Sequence, residues 1–255
     1  MAVPAPDALL AAAVARDPAG PLLTFYDDAT GERTELSAVT LANWVAKTAN
    51  LLRDDVGAGP GDRVAVLLPG HWQTAAILLG AWSAAAVVGT EVGAGRASAA
   101  AAFASADRVA AAAGAGEVFA LSLAPLGRAF PAGPPPGTRD YSAEVLAQGD
   151  RWSGPLVEDG VPALETLDGT VTGGDLVEIA LRRAAELGLL AGDRLLSTAP
   201  WDGPTGWVDG LLVPLAAGAS IVLVANADPT ALPARVLAER VTATLGTDVP
   251  GVRRL

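Results

Sequence analysis

The residues best suited to bind a small molecule lie within residues 199–209, a stretch rich in tryptophan, glycine and proline. Trp201 and Trp207 offer flat apolar surfaces, and Asp202 and Thr205 offer polar groups. The stretch follows a strand-like run, and α/β sheets bind ligands at the carboxyl ends of their strands. These four residues are therefore our predicted ligand pocket. The alternative is a Gly/Pro turn with both tryptophans in the core, which is the commoner role of tryptophan.

A second candidate site is the start of a predicted helix, where backbone amides can hold an anion. Thr172, Gly173 and Gly174 lie at this position and could accept a small anion or a carboxylate. The negative charges of Asp168 and Asp175, close by in the sequence, oppose such binding.

The single histidine and the single lysine give no catalytic pattern. His71 lies at an expected helix start, where it could act as an acid or a base. The chain has no cysteine and no second histidine to complete a metal or nucleophile set. We therefore predict a solvent-facing His71, no catalytic residue and no metal site. Lys47 lies on the polar face of an amphipathic helix that begins after Ser37, and we expect it to be solvated.

Composition excludes several classes of partner. The net charge of −11 argues against nucleic acid and anionic membranes, which need clustered lysine and arginine. The mean hydropathy of +0.38 reflects mostly alanine, and no apolar run is long enough to span a bilayer. The start of the chain lacks the pattern of a signal peptide, so we expect a cytoplasmic protein.

The elements that must position the candidate residues occur twice. The first copy consists of a helix, a Gly-rich turn, Asp62-Arg63 and an apolar run ending at Pro69. The second copy consists of a helix followed by Gly192, Asp193-Arg194 and Pro200. Each anchor lies about 131 residues beyond its counterpart, which indicates a structural duplication. The alternation of helix and strand signals predicts an α/β protein with two similar lobes and mostly parallel sheets.

The predicted organisation has three parts. Residues 1–127 form a first α/β lobe, residues 128–150 form a Pro/Gly-rich connector, and residues 151–255 form a second α/β lobe, although both lobes could pack as one domain. Residues 99–115 are rich in alanine, and any helix there must pack closely or be weakly held.

Scaffold motifs along most of the chain resemble the amino-terminal region of the AMP-binding, adenylate-forming superfamily, which includes acyl-CoA synthetases. The motifs are Thr24-Phe-Tyr-Asp27, Thr34-Glu-Leu-Ser37, Gly59-Pro-Gly-Asp-Arg-Val64, Leu68-Pro69, Ala84-Ala-Ala-Val-Val-Gly89, Gly192-Asp-Arg-Leu195, Ala199-Pro200 and Leu215-Ala-Ala-Gly-Ala-Ser-Ile-Val-Leu-Val224. The resemblance implies the fold of a truncated acyl-CoA synthetase large domain, with the stretch after Pro200 contributing to an acyl pocket.

The chain departs from this family where ATP would bind. Members carry a Ser/Thr/Gly-rich loop ending in Pro-Lys-Gly, whose amides and lysine hold phosphates. The corresponding residues 161–174 contain no lysine and place Glu165 and Asp168 near the expected phosphates, so Thr172, Gly173 and Gly174 would be a vestige of that loop. The chain is also about half the usual family length, so the adenine motif and the carboxy-terminal lysine are expected to be missing.

Three functions remain open from the sequence. The preferred one is a non-catalytic homologue that binds an acyl group or carboxylate, or acts as a regulatory module. The second is one half of a split ligase, whose AMP-forming acid–thiol chemistry needs a complementary chain. The third is a homodimeric scaffold without ligand. No cofactor is expected, because no motif supports ATP, AMP or CoA binding.

Overall fold

The computed structural model describes residues 5–93 and 98–255. Its helices are α1 (Pro6–Arg16), α2 (Ala38–Asn50), α3 (Trp72–Ser83), α4 (Tyr141–Val145), α5 (Gly173–Leu187), α6 (Pro204–Trp207), α7 (Val213–Ala217) and α8 (Leu232–Ala238). Its strands are β1 (Pro21–Asp27), β2 (Glu32–Ser37), β3 (Arg63–Leu67), β4 (Val87–Gly89), β5 (Ala101–Ser105), β6 (Glu117–Leu121), β7 (Arg139–Asp140), β8 (Pro162–Thr166), β9 (Gly169–Thr172), β10 (Arg194–Ser197), β11 (Ser220–Ala225), β12 (Ala243–Leu245) and β13 (Arg253–Arg254).

Among the described residues the strands form two sheets, and together with the helices they confirm the predicted α/β class with mostly parallel pairing. The first sheet has seven strands in the order β7-β6-β5-β3-β4-β8-β9. The second sheet has six strands in the order β13-β12-β10-β11-β1-β2. In each sheet the antiparallel pair is a hairpin at one edge, and the other strands pair in parallel.

Each sheet takes its edge hairpin from the other half of the chain. The hairpin β1–β2 joins the second sheet through parallel pairing of β1 with β11, where Leu23 lies opposite Ile221. The hairpin β8–β9 joins the first sheet, where Leu164 lies opposite Val88 of β4. Each sheet therefore contains strands from both sides of the predicted connector at residues 128–150.

The predicted duplication of local structure is present in the turns before β3 and β10. Gly57 and Gly188 end their helices in the left-handed conformation, with φ of 72° and 65°. Asp62 accepts a hydrogen bond from the Gly59 amide at 2.8 Å, and Asp193 accepts one from the Leu190 amide at 2.7 Å. Each pair is separated by the same 131 positions as the sequence anchors.

Two helices begin as their capping residues predict. The hydroxyl of Ser37 accepts from the Thr40 amide before α2, and the hydroxyl of Thr172 accepts from the Asp175 amide before α5. The helix α3 is buried along its whole length and contributes to the main hydrophobic core. None of the helices in the described part of the chain is long and apolar enough to cross a membrane.

Residues 99–115, where any helix was expected to pack closely or be weakly held, form a strand and a 3-10 helix. Ala101–Ser105 form the buried strand β5, and Ala106–Ala112 form a 3-10 helix. The small alanine side chains let β5 pack at the centre of the first sheet, between β3 and β6. Tertiary pairing therefore overrides the high helix propensity of alanine.

The predicted connector also contains regular structure. Within residues 128–150, β7 pairs with β6 and α4 follows it. Lys47 fixes this segment to α2, because its ammonium group donates to the Gln148 carbonyl at 2.5 Å and lies 2.8 Å from the Asp150 carboxylate. Its side chain is only 17% exposed, so the expectation of a solvated lysine is wrong.

Candidate functional site

A cavity of about 470 Å³ lies where the carboxyl ends of both sheets meet, and we call it the inter-sheet cavity. Its walls come from residues 68–70 after β3, from Ser105 at the end of β5, from residues 198–202 after β10 and from the end of β11. The polypeptide leaves each of these strands at the same side of the fold, so loop residues distant in the sequence meet there. This placement agrees with the prediction that residues 199–209 follow a strand at a ligand-binding edge.

Trp201 forms one wall of the inter-sheet cavity. Its indole is 1% exposed, and it packs between two glycines that allow this close approach. A Cβ atom at Gly210 would lie 2.0 Å from the indole Nε1, and one at Gly70 would lie 3.3 Å from Cγ. Within the described residues the indole N–H has no hydrogen-bond acceptor. The tryptophan is therefore both a packing residue and part of the cavity wall.

The structure separates the other three predicted pocket residues. Asp202 lines the inter-sheet cavity beside Trp201. Thr205 lines a different, shallow groove of about 280 Å³ between the hairpin β8–β9 and α5. Trp207 is 1% exposed and belongs to the core. Two of the four predicted residues thus share the cavity, while Trp207 follows the alternative interpretation of a core tryptophan.

The charged groups of the inter-sheet cavity are Asp107, Arg108 and Asp202. The Ser105 hydroxyl beside Asp107 is the main cause of a lowered pKa of that carboxyl, so Asp107 is ionised at neutral pH. Arg108 is exposed, and no carboxylate of the described residues lies within ion-pair distance of its guanidinium. Sequence reasoning missed Asp107 and Arg108, because a 3-10 helix carries no periodic pattern that would place them at a strand end.

His71 lies beside the inter-sheet cavity but faces away from solvent, so the prediction of an exposed histidine is wrong. Its ring is 3% exposed and contacts Phe25 edge-on, with the ring centres 4.4 Å apart. Nδ1 accepts from the Gln73 amide at 3.1 Å and caps α3. Nε2 therefore carries the proton and lies 3.9 Å from the buried carboxylate of Glu32.

The pair of His71 and Glu32 is structural. Burial lowers the pKa of His71 and outweighs the opposing effect of Glu32, so the imidazole is neutral. Burial alone would raise the pKa of Glu32, but His71, Thr34 and Trp72 together bring it below its ordinary value. Neither group lines the inter-sheet cavity, so the pair acts by holding the start of α3 against β2.

The region predicted to hold a vestigial phosphate loop is a tight hairpin. Only Leu167 and Asp168 connect β8 to β9. The amide of Gly173 donates to the Val161 carbonyl at 2.9 Å, and that of Gly174 donates to the Asp159 carbonyl at 2.7 Å. Both amides are therefore already bound to backbone acceptors.

The two carboxylates near this hairpin differ in environment. Asp168 is exposed in the turn. Glu165 is paired with Arg63, whose Nε lies 3.2 Å from the carboxylate, so its charge is largely balanced. Of the two predicted repulsive charges, Asp168 is the one without a paired guanidinium among residues 5–93 and 98–255. Within the described residues no cluster of three or more His, Asp or Glu side chains could hold a metal ion.

Comparison with known proteins identifies a family. The chain is 52% identical over 241 residues to a TIGR03089 family protein of Mycobacterium tuberculosis (strain ATCC 25618 / H37Rv), covering 90% of this chain and 93% of that protein. The chain belongs to the TIGR03089 family. No protein-family model matches the chain.

The fold of this TIGR03089 family member occurs in much longer enzymes. An acyl-CoA synthetase from Brucella canis matches 95% of the chain with a TM-score of 0.75 and 19% identity, and the match covers 47% of that enzyme. Acetoacetyl-CoA synthetase from Streptomyces lividans matches 94% of the chain with a TM-score of 0.72 and 20% identity, over 42% of its own length. The N-terminal domain of FACL13 from Mycobacterium tuberculosis matches 95% with a TM-score of 0.65 and 17% identity, over 62% of its length.

These matches establish the fold and its extent. The TIGR03089 chain spans about half the length of the first two synthetases, and it has the fold of their amino-terminal part. The expected resemblance to the adenylate-forming superfamily is thereby confirmed at the level of the fold.

Proposed function

We propose that this protein is a non-catalytic binding module that takes an acyl-type small molecule with a carboxylate in the inter-sheet cavity. The observation that carries the proposal is the cavity itself, about 470 Å³ in volume and open at the carboxyl ends of both sheets. Ligand sites in α/β proteins are typically of this size and at this place.

The walls of the cavity favour a ligand with one apolar end and one negative end. Leu68, Leu223 and Trp201 supply apolar surface on one side. Arg108 supplies a guanidinium that makes no ion pair within 4 Å among the described residues, although its charge also helps to lower the pKa of the neighbouring Asp107, and such a group pairs well with a carboxylate. We infer that the apolar part of the ligand packs on Trp201 and that its carboxylate faces Arg108.

The hairpin β8–β9 supports the non-catalytic part of the proposal. Adenylyl transfer depends on positioned amides and cations around the phosphates. Members of the adenylate-forming superfamily carry a phosphate-binding loop in this region. Here two residues connect β8 to β9, and the nearby amides of Gly173 and Gly174 are already hydrogen-bonded to backbone carbonyls. No lysine lies in this segment. We expect no ATP-dependent pyrophosphate exchange with any acid.

A thermal-shift titration with acetate, octanoate and benzoate tests the ligand class, because a ligand that binds the native state raises the midpoint temperature. We expect octanoate or benzoate to stabilise the protein and Thr198→Phe, which fills the cavity, to abolish the shift. Arg108→Ala should weaken acid binding about tenfold but leave binding of the uncharged amide analogue unchanged.

Two results would contradict the proposal. If the acids stabilise Thr198→Phe as well as the parent protein, the ligand does not occupy this cavity. If ATP or AMP stabilises the protein, or if any acid supports pyrophosphate exchange, the non-catalytic assignment fails. Glu186→Ala, on the outer face of α5, is a matched surface control that should leave acid binding unchanged.

The shallow groove beside α5 favours a second candidate, in which a complementary chain completes a split ligase. Leu164, Val171 and Ile179 line this groove, and the neighbouring Leu167 is 92% exposed at the hairpin tip. Leu164 is buried and Val171 and Ile179 are half-buried, so the exposed apolar surface here is that of Leu167, and exposed apolar surface marks interaction sites. Light scattering separates a monomer from the homodimer of the third hypothesis, and recovery of pyrophosphate exchange on adding an isolated partner chain would favour the split ligase.

A further inference from the structure

A second cavity lies at the opposite end of the second sheet, where β1, β10 and β11 begin. Its volume is about 640 Å³, and we call it the amino-end cavity. It shares no residue with the inter-sheet cavity. Its walls come from the end of α1, the starts of three parallel strands, β2 and the end of α8.

The amino-end cavity is lined by charged side chains from four places in the fold, the end of α1, β2, the start of β10 and the end of α8. Its guanidinium groups belong to Arg16, Arg33, Arg194 and Arg240, and its carboxylates belong to Asp17, Glu35, Asp193 and Glu239. The formal charges of these side chains balance, so the binding properties of the cavity depend on which charges are already paired with other groups of the chain.

All four carboxylates have donors from the protein. Asp17 accepts from the Gly20 amide at 2.9 Å, and Glu35 accepts from Arg33 at 2.6 Å. Asp193 accepts from the Leu190 amide at 2.7 Å and pairs with Arg253. Glu239 accepts from Tyr26, Arg33 and Arg194.

Two of the four arginines have no carboxylate partner among the described residues. In the described part of the chain, Arg16 donates only to the Gly218 carbonyl, at 2.7 Å from Nη1. Arg240 makes no side-chain hydrogen bond and no ion pair within the described part of the chain. The wall therefore holds two guanidinium groups without a carboxylate partner among the described residues, against one carboxylate, Asp17, whose donor is a neutral backbone amide, so one positive charge is in excess among the unpaired groups.

The backbone of Arg240 provides an independent observation. Its φ is +53°, in the left-handed region, at the residue that follows the end of α8. Glycine is the usual residue at this helix end, because a side chain in that conformation is unfavourable. Arg240 thus combines an unfavourable backbone conformation with a guanidinium that is unpaired among the described residues, and strained residues of this kind cluster at ligand sites.

We propose that the amino-end cavity binds a small oxyanion with at least two negative charges, of the phosphate or phosphomonoester class, between Arg16 and Arg240. Guanidinium groups form paired hydrogen bonds to phosphate oxygens, which a single-charged halide cannot match. The Ser220 hydroxyl and the Arg194 Nη1, which has only long contacts of 3.4 Å, lie in the same wall as further donors.

Titration calorimetry with inorganic phosphate tests the site, with chloride holding the ionic strength constant. We expect saturable binding, a loss in affinity of about tenfold or more in Arg16→Ala and in Arg240→Gly, and no detectable binding in the double variant. Arg151→Ala removes an exposed arginine far from the cavity and should bind phosphate as the parent does.

The variant Arg240→Gly also separates loss of the phosphate site from loss of phosphate binding through unfolding. Glycine relieves the left-handed strain, so this variant should be at least as stable as the parent without phosphate while losing the phosphate-dependent rise in midpoint temperature. Parallel titration of glycerol 3-phosphate separates the sources: tighter binding assigns the site to an ester, and weaker binding assigns it to the free ion.

Phosphate binding no stronger than that of chloride would overturn the proposal, as would unchanged affinity in both single variants. The test is independent of the ligand in the inter-sheet cavity. Thr198→Phe should leave phosphate binding intact, and the Arg16 and Arg240 variants should leave carboxylate binding intact, so failure of one proposal does not decide the other.

Discussion

The two exchanged hairpins are built on the same plan but differ in how their tips are held. In each sheet the arginine that begins the central strand reaches the hairpin from the other half. Arg194 of β10 donates to Thr24 of β1 at 2.9 Å, and Arg63 of β3 pairs with Glu165 of β8. In both sheets this arginine contact therefore holds the edge hairpin from the other half of the chain against the sheet.

Beyond this contact the hairpins diverge. The tip of β1–β2 is fixed by Asp28, which pairs with Arg235 at 2.6 Å, and by Asp27, which accepts from Asn226 at 2.7 Å. The tip of β8–β9 carries Leu167, which is 92% exposed. The tip of β1–β2 is thus fixed by side-chain contacts, whereas the tip of β8–β9 presents an exposed leucine at the position where the family resemblance implies a phosphate loop.

The largest effect in this comparison is expected from Glu239→Ala beside the hairpin β1–β2. The substitution removes the common hydrogen-bond acceptor of Tyr26, Arg33 and Arg194. Arg33 keeps Glu35, but the largely buried guanidinium of Arg194 loses its carboxylate partner. Loss of one member of a buried ion pair destabilises by about 3 to 5 kcal/mol. Urea unfolding of the variant and the parent measures the difference, and a change below about 1 kcal/mol would show that the cluster is not a main anchor.

The next effect is acid sensitivity centred on the same carboxylate. Burial alone would raise the pKa of Glu239, but the hydrogen bonds from Tyr26, Arg194 and Arg33 bring it from 4.5 to about 2. Because the folded pKa is the lower one, this stabilisation is complete above the unfolded value and is lost as the pH falls towards the folded value. The stability difference between the parent and Glu239→Gln should shrink by about 2 kcal/mol from pH 6 to pH 3. A constant difference would contradict the assignment.

A smaller effect is expected from Glu165→Ala in the hairpin β8–β9. Arg63 loses its carboxylate but keeps a hydrogen bond to the Glu91 carbonyl at 3.3 Å. We expect a loss of about 1.5 kcal/mol, clearly less than for Glu239→Ala, by urea unfolding. Equal losses at the two sites would show that the hairpins are held alike.

The smallest changes in stability are expected at the two duplicated turns, before β3 and before β10. Gly57→Ala and Gly188→Ala each place a methyl group in the left-handed conformation, with no atom within 4 Å of the new Cβ. Each variant should lose about 1 kcal/mol, and the two losses should agree within about 0.5 kcal/mol. A clear inequality in urea unfolding would show that the duplicated turns carry different strain.

Much of this scaffold could be predicted from local sequence signals. The caps Ser37 and Thr172 and the repeated Gly-Asp-Arg turns specify their elements through neighbouring residues alone. Arg183 of α5 pairs with Glu186 three residues further along the helix and with Asp209, and the first of these pairs follows from helical spacing alone. The exchange of hairpins could not be predicted, because any open strand edge can accept a hairpin and the choice depends on the whole packing.

The candidate site was less accessible to sequence reasoning. Trp201 and Asp202 were placed at the cavity because their position after a strand is a local property. His71 was misplaced because its burial depends on Phe25 and Glu32, which come from the exchanged hairpin. Arg240 gave no signal at all, since a backbone conformation is not visible in residue type.

The docked position of Lys47 makes the protein suited to chemical footprinting. The chain of 255 residues has one side-chain amine, and carbonyls of Leu146 and Gln148 hold it together with Asp150. An acylating reagent can modify this amine only when residues 146–150 move away from α2. The rate of a single mass increment at Lys47 therefore reports how often that segment opens, with no competing side-chain signal to subtract.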